Sequence, residues 1–162
     1  MTRMGLLNRR SALLAVTGAA AGAIAAVIAS RNAWATQDSV KEWLASQIKG
    51  AKEGAKDGPK EGRITLKAPE IAENGNAVPV TVSVESEMSE KSYVKAIYVA
   101  ADGNPNPGVV TWELTPLAGK AEVQFRARLA QTQKLVAVAE MNDGSLFTAS
   151  REIKVTIGGC GG

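Results

Sequence analysis

Residues 78–84 alternate between valine and other residues, in the run Val78-Pro79-Val80-Thr81-Val82-Ser83-Val84. A period of two places every valine on one face of an extended strand, where it can be buried, and turns the hydroxyl groups toward the other face. The Asn74-Gly75 pair just before this run is a turn signal. The stretch therefore predicts a strand with one buried face that begins after a turn.

Similar apolar stretches, separated by turn residues, occur on both sides of this run. They predict six further strands at residues 64–68, 94–99, 109–114, 121–129, 134–141 and 146–157. Seven short strands with regular turns are typical of an antiparallel β-sandwich. One cysteine cannot form an inter-sheet disulfide, so the core must rest on buried Val, Ile, Leu and Ala. The predicted fold is all-β, an immunoglobulin-like antiparallel sandwich of about seven strands over residues 63–157.

A short helix is predicted before the sandwich. Ser39 and Glu42 have the spacing of a capping box. Apolar residues then recur at the three-and-four spacing of a helical face, at Val40, Trp43, Leu44 and Ile48. Because such a short amphipathic helix is marginal alone in water, we expect it to dock on the sandwich. Residues 50–62 are punctuated by glycine and rich in charge, which predicts a solvated linker within the segment 36–62.

The first 35 residues have the pattern of a cleaved export signal. A basic head is followed by an apolar run and by Ala33-Trp34-Ala35, a cleavage-site pattern. Residues 11–30 are nearly long enough for a membrane helix, but Thr17, Gly18 and Gly22 interrupt them, so the cleaved signal is favoured. Residues 8–14 resemble a twin-arginine (Tat) motif without its usual phenylalanine. The expected location is the periplasm, with no membrane attachment after cleavage.

The positive charge of the chain belongs to this signal. All 16 acidic residues follow position 35, whereas four of the 19 basic residues precede it. Removing these four leaves 15 basic and 16 acidic side chains, a formal charge of −1. The remaining chain has no basic stripe with interleaved aromatics, so no nucleic-acid partner is expected.

Cys160 is the only cysteine and lies in the sequence Gly158-Gly159-Cys160-Gly161-Gly162. A metal site needs several Cys or His ligands, and the chain has no His and no second Cys. Glycine adopts almost any backbone conformation, and the residues after Ile157 can carry the sulfur roughly 10 Å beyond the last strand. The segment 158–162 therefore predicts a flexible swinging arm made by the four glycines, with a covalent attachment site at Cys160. Catalytic residues, a metal and a cofactor are not predicted.

The chain resembles the SoxY family, the sulfur-carrier subunits of the bacterial thiosulfate-oxidising Sox system. The terminal Gly-Gly-Cys-Gly-Gly has the form of the family's hallmark. Three internal segments are also similar to family segments, at residues 69–80, 104–107 and 126–133. The similarity thus extends over essentially the whole chain after the signal.

This resemblance implies a carrier that is acted on by enzymes and is not an enzyme itself. A SoxZ-like subunit would form a complex with the chain, as a heterodimer or a larger assembly. The haem protein SoxXA would join thiosulfate oxidatively to Cys160. SoxB, a dimanganese enzyme, would then hydrolyse the sulfone end to sulfate, and in some systems SoxCD oxidises the remaining sulfur. Near Cys160 the sequence contains nothing that stabilises a thiolate, and about 3% would be ionised at pH 7, so these enzymes are expected to activate the sulfur.

Two other interpretations remain open on the residues alone. A lone cysteine in an exported protein often forms an intermolecular disulfide, which would make the chain a structural or adhesive sandwich. A Gly-Gly tail also resembles ubiquitin-like sulfur carriers, but those act in the cytosol. Elsewhere, Trp43 and Trp112 are expected in the core or an interface. The carboxylates of Glu85, Glu87 and Glu90 are expected at a solvated edge.

Overall fold

The computed structural model describes residues 34–48 and 60–156, and these residues contain nine strands and one α-helix. The helix is α1 (Gln37–Gln47). The strands are β1 (Lys60–Glu61), β2 (Ile64–Lys67), β3 (Ile71–Ala72), β4 (Val78–Val84), β5 (Val94–Ala101), β6 (Gly108–Glu113), β7 (Ala121–Ala127), β8 (Gln133–Met141) and β9 (Leu146–Val155). Two short 3-10 turns, Gly75–Ala77 and Pro116–Ala118, precede β4 and β7. All seven predicted strands are confirmed within a few residues.

The strands form two sheets. The larger sheet has the order β1-β9-β8-β5-β6, with β3 also paired to β9, and the smaller sheet has the order β2-β4-β7. The seven predicted strands pair in antiparallel fashion. In the described ranges, parallel pairing is confined to β1 and β3, which have two residues each and both lie along β9. The antiparallel sandwich is thus confirmed, with two short parallel additions.

The main core lies between the two sheets and is built from the alternation that the sequence shows. The side chains of Val78, Val80 and Val82 on β4 are at most 2% exposed. They pack with residues of the larger sheet that include Ile97, Leu135 and Ile153, each 0% exposed. Burying one such side chain contributes about 1.5–3 kcal/mol. The core therefore needs no disulfide.

Pro79 lies in β4, the central strand of the smaller sheet, although a proline has no amide hydrogen for a ladder. The β2–β4 pairing covers only residues 81–84 of β4, whereas β7 pairs with β4 from Val78 to Val84. Pro79 therefore lies beyond the end of β2, where one side of β4 has no neighbouring strand. A proline is tolerated at such a position.

The N-cap of α1 lies three residues before the predicted one. Thr36 is the N-cap: its hydroxyl oxygen accepts from the Ser39 amide at 3.3 Å, and the Ser39 hydroxyl oxygen accepts from the Thr36 amide at 2.7 Å. The prediction of Ser39 and Glu42 as the box was wrong, because Thr36 already forms the reciprocal pair with Ser39. The predicted apolar face is confirmed. Trp43, Leu44 and Ile48 pack on the outer face of the larger sheet, against residues that include Tyr98 and Val138.

The predicted linker is structured at its last residues. Lys60 and Glu61 form β1, which pairs with Phe147 and Thr148 of β9. Both β1 side chains are exposed, so no apolar pattern could reveal this strand. Residues 49–59 lie outside the described residues.

Candidate functional site

The predicted arm follows directly from β9, and the structure places the root of that arm. Cys160 and the glycines Gly158, Gly159, Gly161 and Gly162 lie outside the described residues, which end at Thr156. The last described residues, at the end of β9, are hydrogen-bonded to two other segments of the chain. The amide of Thr156 donates to the Ala72 carbonyl at 3.0 Å, and the amide of Val155 donates to the Thr132 hydroxyl at 3.0 Å. The arm therefore starts from a fixed point.

The strand β9 stops at one end of the sandwich, and we name this end the arm-root end. The strand registers place the end of β5 and the start of β8 at this end. The close approach of Gly75 to Val155 places the start of β4 there as well, and β4 pairs at that point with the end of β7. Its loops are the connecting segments 68–77, which include the short strand β3 and a 3-10 turn, 102–107 and 128–132. These loops contain most of the three internal segments that carry the family resemblance. Segments far apart in the sequence are thus brought together around the arm root.

Two polar side chains join the loop at residues 102–107 to the loop at residues 128–132. Gln133, which is 4% exposed, accepts from the Gly103 amide at 2.9 Å and donates to Asn104 Oδ1 at 2.9 Å. The Asn104 side chain also donates to the Arg128 carbonyl and accepts from the Ala130 amide, both at 3.0 Å. A buried polar group is costly unless it is paired, and these pairs satisfy both amides. The sequence contained Asn104 and Gln133 in segments similar to the family, but the pattern did not reveal their contact.

Gly75 is required at the arm-root end because the chain approaches it closely. A Cβ at this position would overlap the Leu129 carbonyl oxygen and lie 2.8 Å from Val155 Cγ1. The Leu129 amide donates to the Gly75 carbonyl at 2.7 Å, which holds the two segments together. The Asn74-Gly75 turn signal therefore has a second role, namely close packing against the last residue of β9.

A buried carboxylate lies toward the other end of the larger sheet. Glu140 on β8 is 4% exposed and accepts from Lys95 Nζ at 2.7 Å and from the Tyr98 hydroxyl at 2.8 Å. The hydrogen bond to Glu140 raises the pKa of Lys95, and burial followed by the Glu140 hydrogen bond raises the pKa of Tyr98. This set ties β5 to β8 near the end of α1. Its partners are satisfied within the protein, so it is a structural network that the sequence pattern missed.

The remaining expectations for named residues agree with the structure. Trp112 packs on the core against Phe125, with ring centroids 4.8 Å apart, and Trp43 packs between α1 and the larger sheet. Glu85, Glu87 and Glu90 are exposed.

Among residues 34–48 and 60–156, no group of three or more His, Cys, Asp or Glu side chains is placed to hold a metal ion. In the same ranges no helix has the length and hydropathy needed to cross a bilayer.

Comparisons with known proteins place this sandwich in a family. Residues 49–160 match the family model described as sulfur oxidation protein SoxY. Among solved structures, the chain is similar to the sulfur carrier protein SoxY from Chlorobium limicola f thiosulfatophilum. The identity is 34%, the TM-score is 0.59, and the match covers 74% of this chain and 98% of that chain. No curated protein sequence matches the chain.

The sandwich is also similar to a superoxide reductase (neelaredoxin) from Ignicoccus hospitalis. That match has 25% identity and a TM-score of 0.53, and covers 59% of this chain and 81% of the reductase. A variant of the same reductase gives 25% identity and a TM-score of 0.53, with 64% and 87% coverage. These likenesses are weaker than the first in identity and coverage, and we use them for the fold alone.

Proposed function

The chain belongs to the SoxY family of sulfur oxidation proteins, and on that premise we propose that it is a sulfur carrier of thiosulfate oxidation whose sulfur is bound to Cys160. The observation that carries the proposal is the extent of the family match, residues 49–160, which reaches as far as Cys160. Family membership favours this role over that of a structural or adhesive sandwich. The fixed arm root supports it as well, because a swinging arm needs a firm base.

The proposed cycle uses the thiol as an attachment point. In the first step the Cys160 thiolate and thiosulfate lose two electrons to a haem protein of the SoxXA type and form a sulfur–sulfur bond, which gives a cysteine S-thiosulfonate. In the second step water attacks the sulfone sulfur in an enzyme of the SoxB type. Sulfate and two protons leave, and a persulfide anion remains on Cys160. A SoxCD-type enzyme would oxidise that outer sulfur in organisms that have one.

In this proposal the chain presents the sulfur bound to Cys160, and the partner enzymes supply the catalysis. Cys160 follows two glycines, and its nearest basic residue in sequence is Lys154. A thiol is activated by a neighbouring His, cation or helix N-terminus, and the sequence places none of these beside Cys160. Gly158, Gly159, Gly161 and Gly162 would let the arm enter narrow enzyme channels, since they add no side chain.

We further propose that a SoxZ-like subunit covers the open side of the sandwich between β6 and β7. These are the edge strands of the two sheets at this side. Val110 and Trp112 on β6, and Val123 and Phe125 on β7, are only partly buried. An edge strand with few charges favours association with another chain. In a heterodimer assay, Val110→Lys should weaken binding of the partner, whereas Thr81→Lys on the outer face of the smaller sheet should not.

Export through a twin-arginine signal, residues 1–35, completes the proposal and would locate the carrier in the periplasm. The support is the Arg9-Arg10 pair and the Ala33-Trp34-Ala35 pattern. Replacing both arginines by lysine keeps the charge but removes the Tat signature. The chain should then be retained in the cytoplasm. Undiminished export of this variant would contradict the Tat route.

Relocation of the thiol tests the carrier function directly. Cys160→Ser removes the only thiol, and adding Ser150→Cys restores one thiol on the exposed outer face of β9 with an unchanged overall composition. Both variants should fail to support sulfate production from thiosulfate with the partner enzymes, because neither has a thiol on the arm. Sulfate production at the wild-type rate by either variant would refute the proposal.

A further inference from the structure

The predicted cleavage site of the export signal is part of the folded structure. Ala35 is the last residue of the Ala33-Trp34-Ala35 pattern, and it is only 6% exposed. Its amide donates to the Asn104 carbonyl at 2.8 Å. Trp34 is 47% exposed, so burial begins at the residue that cleavage would leave at the end of the signal.

The residue on the other side of the predicted bond is held as well. Thr36 is the N-cap of α1, and its amide donates to Ser39 Oγ at 2.7 Å. Its carbonyl accepts from the Val40 amide at 3.0 Å and from the Ser39 hydroxyl at 2.8 Å. Both residues that flank the bond are thus hydrogen-bonded to other parts of the fold.

The loop that holds Ala35 is itself fixed. The Asn104 side chain donates to the Arg128 carbonyl and accepts from the Ala130 amide, both at 3.0 Å. The Asn104 carbonyl therefore has a defined position in the loop 102–107, at the arm-root end. Loss of these side-chain hydrogen bonds would loosen the loop and weaken its contact with Ala35.

A signal peptidase needs this segment in a different state. The enzyme recognises the small side chains of the Ala-x-Ala pattern, and an extended peptide pairs with such a site through its backbone. The Ala35 methyl group must then enter a pocket of the enzyme, and the Ala35 amide must be free to pair. In the folded chain the methyl group is buried and the amide is bonded to Asn104.

We propose that the fold protects its own processing site, so that the signal is removed only during local openings in which residues 34–36 leave the loop 102–107. The inference rests on the proposed signal, residues 1–35, and on the Tat route, which carries folded chains. Hydrolysis of the Ala35–Thr36 bond consumes one water and leaves a carboxylate on Ala35 and an amino group on Thr36. When opening and closing are faster than cleavage, the cleavage rate follows the population of the open form. The folded precursor therefore keeps its signal longer than an unfolded chain does.

Cleavage of the full-length precursor by purified signal peptidase tests this protection, with mass spectrometry to identify the bond that is cut. Asn104→Ala removes the side chain that fixes the loop, and it lies far from the scissile bond in sequence, so the enzyme meets an unchanged motif. This variant should be cut about two- to tenfold faster than the wild type, the range expected for the loss of one hydrogen bond.

Asn142→Ala is the matched control. The Asn142 side chain also accepts from an amide, that of Tyr93, and donates to a carbonyl, that of Lys91. It follows β8 and so lies at the opposite end of the sandwich from Asn104. The Asn142→Ala precursor should therefore be cut at the wild-type rate.

An unfolded reference measures how well the bare motif is cut. Val82 is 0% exposed, so the unpaired charge of Val82→Asp should unfold the chain, which circular dichroism verifies. This precursor should be cut between Ala35 and Thr36 at least tenfold faster than the folded wild type. Equal rates for the wild type, Asn104→Ala and Asn142→Ala, or a wild-type rate as high as that of Val82→Asp, would overturn the protection.

Failure of the protection and failure of the proposed signal give different results. If the signal is right and the protection is wrong, every precursor is cut between Ala35 and Thr36 at the same rate. If the signal boundary is wrong, the unfolded Val82→Asp precursor is not cut at this bond, which overturns the protection as well. Sulfate production with Cys160→Ser tests the carrier function separately from both.

Discussion

Replacing Gly75 by alanine should destabilise the fold at the root of the arm. The added Cβ would overlap the Leu129 carbonyl oxygen and lie 2.8 Å from Val155 Cγ1. The Leu129 contact is to backbone, so a side-chain rotation cannot relieve it. The segments must separate, which weakens the 2.7 Å hydrogen bond from the Leu129 amide to the Gly75 carbonyl.

The magnitude follows from two contributions. Forcing an extra methyl group into a packed site typically costs about 1–3 kcal/mol, and the weakened hydrogen bond adds about 1 kcal/mol. We therefore expect the free energy of unfolding to fall by about 2–4 kcal/mol. Urea denaturation of the signal-free chain measures this as a lower midpoint with an unchanged m-value.

Gly144 provides the control. It has a φ of +83°, and a Cβ there would meet nothing within 4 Å. Gly144→Ala should therefore carry only the backbone cost of a left-handed alanine, about 1–2 kcal/mol. If Gly75→Ala were as stable as the wild type, the close approach of Leu129 and Val155 would be wrong, and the arm root would not be held as described.

Three further changes have defined outcomes. Glu140→Leu should lower the free energy of unfolding by about 1–3 kcal/mol because the hydroxyl of Tyr98 loses its buried acceptor. Glu140→Gln should lower it less. Equal thermal unfolding midpoints of the two variants would contradict the network. Ser145→Ala should destabilise the chain at neutral pH, since the Ser145 hydrogen bonds lower the pKa of Asp143. Because the folded state lowers this pKa, the ionised carboxylate stabilises the fold above the ordinary carboxylate pKa, and this stability is lost as the pH falls through the folded pKa. The unfolding midpoints of the wild type and Ser145→Ala should therefore converge in acid. A difference between the midpoints that stays constant with pH would count against this. Gly159→Trp should leave the unfolding midpoint unchanged but slow sulfate production severalfold, because the indole would collide with the walls of a partner enzyme's channel. Full activity of this variant in a reconstituted assay would exclude that expectation.

The main strands were predictable because each buries one face. The alternation of valine from Val78 to Val84 becomes β4, with these valines inside. The strands β1 and β3 were not predictable, since two residues are too few to show a period and the β1 side chains are exposed. The start of α1 was misplaced because Thr36 and Ser39 both have hydroxyl groups able to cap a helix.

The candidate site was also only partly accessible to prediction from the sequence. The attachment of sulfur to Cys160 stays a prediction from the sequence, because that residue lies outside the described residues. The surroundings of the arm root could not be predicted, because they depend on contacts between distant segments, such as Gln133 with Asn104 and Thr132 with Val155. The position of α1 on the outer face of the larger sheet could not be predicted either, because amphipathic spacing alone does not specify which face a helix covers.

The most direct test of the central claim is the mass of the peptide that contains Cys160, after the chain has turned over thiosulfate with its oxidising partner. We expect this peptide to gain a thiosulfonate that dithiothreitol removes, and the Cys160→Ser protein to gain nothing. A sulfur adduct on any other residue, or sulfate formation with an unmodified Cys160 at every time point, would contradict the account.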